Sequence, residues 1–369
     1  MDISIFVPVY RESNQLEDIL NVLNEQDVNK ELFVTVDEPT EDFSEKLSRL
    51  HNSNLKIFVN KERKGKANVL NEAAKLASSN ILLFLDADIQ LSNDSDFLKK
   101  IIMEMQLTDV LDIKKEVSKG KSFLSRMAYY EYFTFNASAW LSSRYMKKCP
   151  AVNGAAFAIK REVFEKVGGF RKVVAEDIDM ATRVFLQDGS FAYAPDVEVK
   201  NVVYTEWSKW FKQRRRWAIG QALWTVDWYR ELTKKFVKKP QVFLPGLFFL
   251  YPSIAIFFIS ALMPSNWVYN YVLFFSLFLS VKYNLMLPLF LISLASANLV
   301  KTLVIMFSGF AFTAVTFYGL SRKIGFKEMK LHELFLYYFF YSNISIMIQV
   351  AGFIQVIALG KRSGPGWKT

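Results

Sequence analysis

Two carboxylates one residue apart, Asp86 and Asp88, directly follow the apolar run Ile81 to Leu85. Hard divalent cations take oxygen ligands, so this pair suits Mg2+ or Mn2+ and, through the cation, the phosphates of a bound ligand. Aspartates also cap helices and favour turns, so the tripeptide by itself leaves a structural role open. A second acidic group, Glu176, Asp177 and Asp179, precedes the helical stretch Met180 to Gln187. Carboxylates there stabilise a helix N-terminus. Flanked by Val173, Val174 and Ile178, they also suggest a partly enclosed site in which one acts as general base. Gln213-Arg214-Arg215-Arg216-Trp217 offers guanidinium forks for phosphate and an indole face on which a ring can stack. A helix lying on a membrane surface uses the same residue types.

Composition narrows the chemistry. Cys149 is the sole cysteine and the two histidines, His51 and His332, lie far apart, which argues against a zinc site and rules out an internal disulfide. The net charge of +10 raises nucleic acid as a partner, but the bases concentrate between Lys200 and Lys239, immediately before the first long apolar run. That position favours phospholipid headgroups or anionic phosphate ligands, with a solvated basic face as the plain alternative, and no nucleic-acid partner is expected.

The elements that must position these residues can be read from hydrophobic periodicity. Ile3 to Val9 is a continuous β-branched run that predicts a buried strand, and Asn14 is expected to cap a helix running to about Gln26. Leu32 to Val36, ending at Asp37, and Leu55 to Val59 predict the next strands; a helix from Ala67 to Ala77 leads to a fourth, Ile81 to Leu85. Strands alternating with helices at this spacing predict a doubly wound, mostly parallel α/β sheet, whose ligands bind beyond the carboxyl ends of the strands. Asp37 and Asp86 both fall there. The aromatics of residues 121–149 have helical spacing and are read as packing.

The second half differs. From Thr205 to Leu232 a helix carries tryptophans among Arg and Lys, which predicts an interfacial location, with burial in the soluble core as the competing reading. From Val242 onward the only acids are Glu328 and Glu333. Four or five membrane crossings are expected from Phe243 to Met263, Trp267 to Val281, Leu285 to Leu320 and Leu334 to Leu359. The basic loop Arg322 to Lys330 and basic tail Lys361 to Lys368 flank a single crossing, so one of them breaks the positive-inside tendency. Ile3 to Val9 is too short, and too closely flanked by Asp2 and Arg11, for a signal peptide, so the first domain is expected in the cytoplasm. The division predicted is a catalytic region 1–204, an amphipathic region 205–240 and a transmembrane region 241–369, in a multi-pass protein of the cell membrane.

In order, these pieces resemble the family 2 glycosyltransferases, especially the cellulose, chitin and hyaluronan synthase branch. The resemblance rests on Val7-Pro8-Val9-Tyr10, Asp37, Lys64-Gly65-Lys66-Ala67-Asn68 with Leu70-Asn71, Asp86-Ala87-Asp88, Asn153-Gly154, Gly168-Gly169-Phe170, Glu176-Asp177, Gln213 to Trp217 and the tail Trp367-Lys368-Thr369. It implies a GT-A-like catalytic domain that moves a sugar from a nucleotide-sugar donor, on family grounds a UDP-sugar, to a glycan or lipid-linked acceptor held at the membrane. By that resemblance Asp37 contacts the base, Asp86 the ribose or base side, and Asp88 an Mg2+ or Mn2+ ion with the donor diphosphate. Lys66 lies near the nucleotide, Gln213 and Arg216 hold the diphosphate, and Trp217 stacks on the acceptor sugar beside Asn153, Gly154 and Glu176. Asp177 is the general base of a single, inverting displacement.

The chain departs from the family pattern at Glu38-Pro39-Thr40, where Asp-Gly-Ser is usual after the first aspartate, and at Ala175, where a threonine often precedes Glu-Asp. The paired membrane helices that precede the catalytic domain in many processive relatives do not appear ahead of Ile3. Polysaccharide extension is the leading expectation, and transfer of one sugar to a polyprenyl-phosphate or other lipid is the alternative. A non-catalytic nucleotide-sugar-binding transport component is the reading from a different class.

Overall fold

A computed structural model of the chain describes residues 2–50, 54–118, 120–250, 265–284 and 294–360. Its N-terminal half is one eight-stranded sheet of order β3-β2-β1-β4-β7-β6-β8-β5. The expected strands are β1 (Ile3–Tyr10), β2 (Lys30–Asp37), β3 (Leu55–Asn60) and β4 (Ile81–Leu85), which pair in parallel with one another. The other half is mixed rather than parallel. β7 (Ala156–Lys160) runs antiparallel to both β4 and β6 (Val110–Val117), and β8 (Phe191–Asn201) pairs with β6 in parallel and with β5 (Ile89–Leu91) antiparallel.

Alternation along β1 divides the core. Ile3, Ile5, Val7 and Val9 pack with Leu16 and Ile19 of α1 (Leu16–Asn24) and Ile101 of α4 (Phe97–Met105). Phe6 faces the other way and begins an aromatic ladder: Phe33, Phe6, Phe84 and Phe157, on adjacent strands, stack at centroid spacings of 5.0, 5.0 and 5.2 Å. Cross-strand aromatic pairs of this kind fix register. The ladder holds the strand ends carrying Asp37, Asp86 and the segment before Ala156 at one edge.

Some boundaries differ from expectation. Asn14 does not cap α1: the helix starts at Leu16 and the Gln15 amide donates to Ser13 Oγ at 3.1 Å. The aromatic stretch forms α5 (Phe123–Leu141), buried nearly all round, with Tyr129, Tyr130, Tyr132 and Phe133 in the core. α3 (Lys66–Ala74) starts one residue before its expected position, and α7 (Glu176–Leu186) a full turn before, so that Glu176, Asp177 and Asp179 all lie in its first turn.

The long helix α8 (Trp207–Lys238) turns three of its tryptophan N–H groups into the protein, while Trp207, Phe211, Tyr229 and Phe236 stay exposed. Its Trp210, Trp224 and Trp228 indoles donate inward, to Tyr341 Oη at 2.9 Å, Thr182 Oγ1 at 2.8 Å and Asp179 Oδ1 at 3.0 Å. An indole N–H satisfied inside the protein is not seeking headgroups. Gly220 of α8 lies against Val174 and Ala175, so the small residue at 175 fits the close approach of this helix. On the opposite side Ala218 meets Gly352 so closely that a Cβ at 352 would fall 2.7 Å from the Ala218 Cβ.

Among the described residues two helices, Leu299–Lys323 and Leu331–Ala358, are long and apolar enough to cross a membrane. A further helix, Ser265–Tyr283, covers the expected Trp267 to Val281 segment. Most of the Phe243 to Met263 segment, the first part of Leu285 to Leu320, the Lys361 to Lys368 tail and His51 lie outside the described residues.

Candidate active site

Lys66, Asp86, Gly154, Glu176 and Asp177, up to 111 positions apart in the numbering (66 to 177), line one cavity at the carboxyl edge of the sheet. Each is delivered by a different device. β4 ends at Leu85 and presents Asp86; Gly65, at φ +88°, turns the chain so that α3 begins at Lys66; Glu176 and Asp177 open α7. The Lys66 ammonium lies 2.7 Å from Asp86 Oδ1 and 3.4 Å from Glu176 Oε1. Burial works against its charge, but Asp86, Glu176 and Asp177 outweigh burial and hold Lys66 above the ordinary lysine range. Burial, aided by Asp177 and opposed by Lys66, raises the Glu176 carboxyl.

Asp177 is aimed by main-chain amides. Its Oδ2 accepts from Gly154 N at 2.7 Å and its Oδ1 from Ile178 N at 2.8 Å. A Cβ on residue 154 would lie 2.5 Å from that Oδ2, so only glycine permits this approach. Asn153 completes the turn, its Oδ1 accepting from Ala155 N at 3.1 Å. Beneath it Asp112, which is hydrogen-bonded to the Asn153 main chain, forms a buried ion pair with Lys115. Strict alternation would put residues 112 and 115 on opposite faces; the register shift between Ile113 and Lys114 re-aims Lys115. Burial pushes the Asp112 carboxyl up and the Lys115 ammonium down.

Asp88 stands at the exposed lip, three residues past the end of β4. Packing around its carboxyl, together with Asp86, pushes it up to about 6, against the pull of Lys66 and Arg216. Arg216 therefore reaches Asp88 electrostatically from α8. Burial raises the Tyr132 hydroxyl of α5, opposed by Arg214 and aided by Glu131, Asp88 and Asp86. Among the described residues no three His, Cys, Asp or Glu side chains gather as a ready-made metal cage. Asp86 already pairs with the Lys66 ammonium, and Asp88, whose carboxyl is pushed up by burial and by Asp86, stands beside it. They fit a hard cation that completes its shell from ligand oxygens and water.

Asp37 has a different setting. It is buried at the end of β2, with Oδ1 accepting from Asn60 Nδ2 at 3.0 Å and Oδ2 from the amides of Lys64 and Gly65 at 3.1 and 2.8 Å. It thereby holds the loop that launches α3, and it does not line the cavity around Asp177.

Two further motifs form the walls. Asn71 of α3 bridges the Phe170 main chain, donating to its carbonyl at 2.8 Å and accepting from its amide at 2.9 Å. Gly168 and Gly169 precede at φ +81° and +68°, which brings Phe170 onto Phe84 in an edge contact of 5.0 Å. Asp179 points away from the cavity and joins Arg171 at 3.0 Å, Arg183 at 2.9 Å and the Trp228 indole. Gln213 is half-buried and accepts from Arg214 at 3.1 Å; Trp217 lies edge-on to Phe135 of α5 at 6.4 Å. These two sit on the α5 side, outside the cavity that holds Asp177.

A sheet that presents Asp86 and Asp88 at a strand end, facing a helix N-terminus that carries Asp177, defines a GT-A-type nucleotide-sugar enzyme. A family model described as glycosyltransferase-like family 2 matches residues 2–220, and the chain belongs to that family. Relatives include a probable glycosyltransferase of Bacillus subtilis, 25% identical over 231 residues, 61% of this chain and 53% of that protein. Another is the poly-β-1,6-N-acetyl-D-glucosamine synthase of Staphylococcus aureus, 26% identical over 223 residues, 59% of this chain and 54% of that protein. The chain thus spans about half the length of the curated relatives it matches. A mannosyltransferase from Pyrobaculum calidifontis, solved with GDP-Man and Mn2+, shares the fold at a TM-score of 0.57 and 17% identity, over 97% of this chain and 88% of that one.

Proposed function

We propose that this glycosyltransferase moves a sugar from a nucleotide-sugar donor, a UDP-sugar in the first instance, to an acceptor held at the membrane, with inversion and with polysaccharide extension as its work. The observation that carries the reading is the Asp177 carboxylate, fixed by the Gly154 amide in the same cavity as Asp86 and Lys66. A base held by main-chain donors keeps its orientation while it takes the proton of an attacking hydroxyl. The nucleotide leaves on the opposite side, toward Asp86 and Asp88.

Asp88 would hold an Mg2+ or Mn2+ ion, which would supply positive charge to the departing diphosphate. Arg216 and Gln213 hold that diphosphate from α8, Asp86 and Lys66 keep the ribose side in place, and Asp37 shapes the base-binding loop. Asn153, Gly154, Glu176 and Trp217 face the acceptor. Residues 1–204 are the catalytic region, 205–240 the element joining it to the membrane, and 241–369 a multi-pass membrane region with the catalytic region on the cytoplasmic side. The named activity of the staphylococcal relative supports the polymer reading.

The test is a panel of radiolabelled UDP- and GDP-sugars given to membranes carrying the full chain, with Mg2+, Mn2+ or EDTA. A ladder of sugar polymers that EDTA abolishes is expected. A single lipid-linked sugar would replace polymer extension by lipid glycosylation. Nucleotide binding without transfer from any donor would overturn the catalytic reading.

A further inference from the structure

The buried cluster of Glu131, Arg214, Tyr341 and Trp210 joins α5, α8 and the apolar helix Leu331–Ala358. Arg214 and Glu131 form a buried ion pair. Tyr341 Oη donates to Glu131 Oε2 at 2.9 Å and accepts from Arg214 Nη2 at 3.2 Å and from Trp210 Nε1 at 2.9 Å. Hydrogen bonds to a buried charge pair help hold it in one geometry, and Tyr341 supplies one to each partner from a chain segment 127 residues beyond Arg214.

The guanidinium so fixed stands over a neighbouring ring. Arg214 Cζ stands 4.1 Å from the Trp217 ring centroid, inside the range of a cation–π contact, and 5.4 Å from the Trp210 ring. Its Nη1 holds Gln213 Oε1 at 3.1 Å, while its buried Nε has no oxygen partner among the described residues. The indole face is the contact that remains to that side of the guanidinium. Arg214 is thus braced behind Trp217 while touching Gln213 on the same helix, and the brace is anchored by Glu131 of α5 on one side and by Tyr341, far beyond the catalytic region, on the other.

We propose that Glu131 and Tyr341, acting through Arg214, are positioning residues that set the orientation of Trp217 on the acceptor side of the site. The apolar helix Leu331–Ala358 is accordingly a working part of the transferase as well as a membrane element. The proposal rests on the reading of Trp217 as an acceptor contact. It predicts that loosening the cluster slows transfer while leaving nucleotide affinity nearly unchanged.

The experiment uses the full chain labelled with 5-fluorotryptophan, the Trp217 resonance being assigned by Trp217→Phe. Glu131→Gln and Tyr341→Phe are each expected to shift that resonance, leaving those of Trp140, Trp224 and Trp228 in place as a check of the fold. Transfer from the donor found active in the panel should fall at least tenfold, with the affinity for UDP or GDP changed less than threefold. The double variant Arg214→Met with Glu131→Gln separates positioning from structure. It leaves no unpaired buried charge, so a purely structural role predicts that thermal stability and transfer recover together. Positioning predicts recovery of stability with transfer still low. Recovery of transfer in the double variant, or an unmoved Trp217 resonance in Tyr341→Phe, overturns the proposal, and Tyr341→Phe decides alone if Glu131→Gln does not fold. Full transfer by Trp217→Phe would instead remove the reading of Trp217 on which the proposal stands.

Discussion

The amide of Gly154 donates to Asp177 Oδ2 at 2.7 Å, across 23 residues of sequence, and the approach is so close that residue 154 has no room for a side-chain carbon. Gly154→Ala is therefore expected to push Asp177 off its aim without touching the nucleotide side. A misplacement on the order of 1 Å can lower the rate roughly a hundredfold. Initial rates and nucleotide affinities of the variant check this. Wild-type rates would mean that the contact does not position the base.

Asp88 gives a pH dependence whose sign follows from the structure. Its folded value of about 6 lies above the ordinary 3.8, so the folded protein binds this proton more tightly than the unfolded chain does. The contribution of Asp88 to stability therefore declines as pH rises from about 4 to about 6, and above that range its charge repels Asp86. A divalent cation should relieve that repulsion only once Asp88 is ionised. Mn2+ is expected to raise the melting temperature more at pH 7.5 than at pH 5, and more Mn2+ should move the acid limb of transfer to lower pH. Equal increments at both pH values would separate Asp88 from the cation.

Asn71 closes the cavity wall by satisfying both main-chain groups of Phe170. Asn71→Ala leaves these groups unpaired, at a cost of about 1–3 kcal/mol each where burial is complete. A lowered melting temperature with a raised donor KM is the expected outcome in detergent. Unchanged stability would show that solvent replaces Asn71 without loss.

Much of this arrangement is legible in the sequence because it is local. β1 to β4 follow from short, mostly apolar runs, β-branched in β1, and Asp37 and Asp86 from the places where two of those runs stop. The remainder depends on partners with no fixed spacing. Arg214 reads as one of three adjacent arginines until its contacts appear, with Glu131 83 residues before it and Tyr341 127 after. β6 carries Asp112, Lys114, Lys115 and Glu116 into the sheet, so it lacks the apolar signature of a buried strand, and only the register shift at Ile113 explains why Asp112 and Lys115 meet. The tryptophans of α8 suggest a membrane surface by composition, yet three of their N–H groups are engaged within the protein. Gln15 rather than Asn14 stands at the N-cap of α1, and no side chain caps the helix, so the cap former Asn14 misplaces the boundary by one residue.

The Asp177→Asn variant addresses the central claim most directly. Asparagine keeps the size of the side chain and one of its two acceptor oxygens but does not serve as a base. General-base catalysis is worth roughly a hundred- to ten-thousandfold. The account predicts that Asp177→Asn binds the nucleotide-sugar donor with wild-type affinity, measured by titration, and transfers at a rate lowered by about that factor. Transfer at the wild-type rate would contradict it.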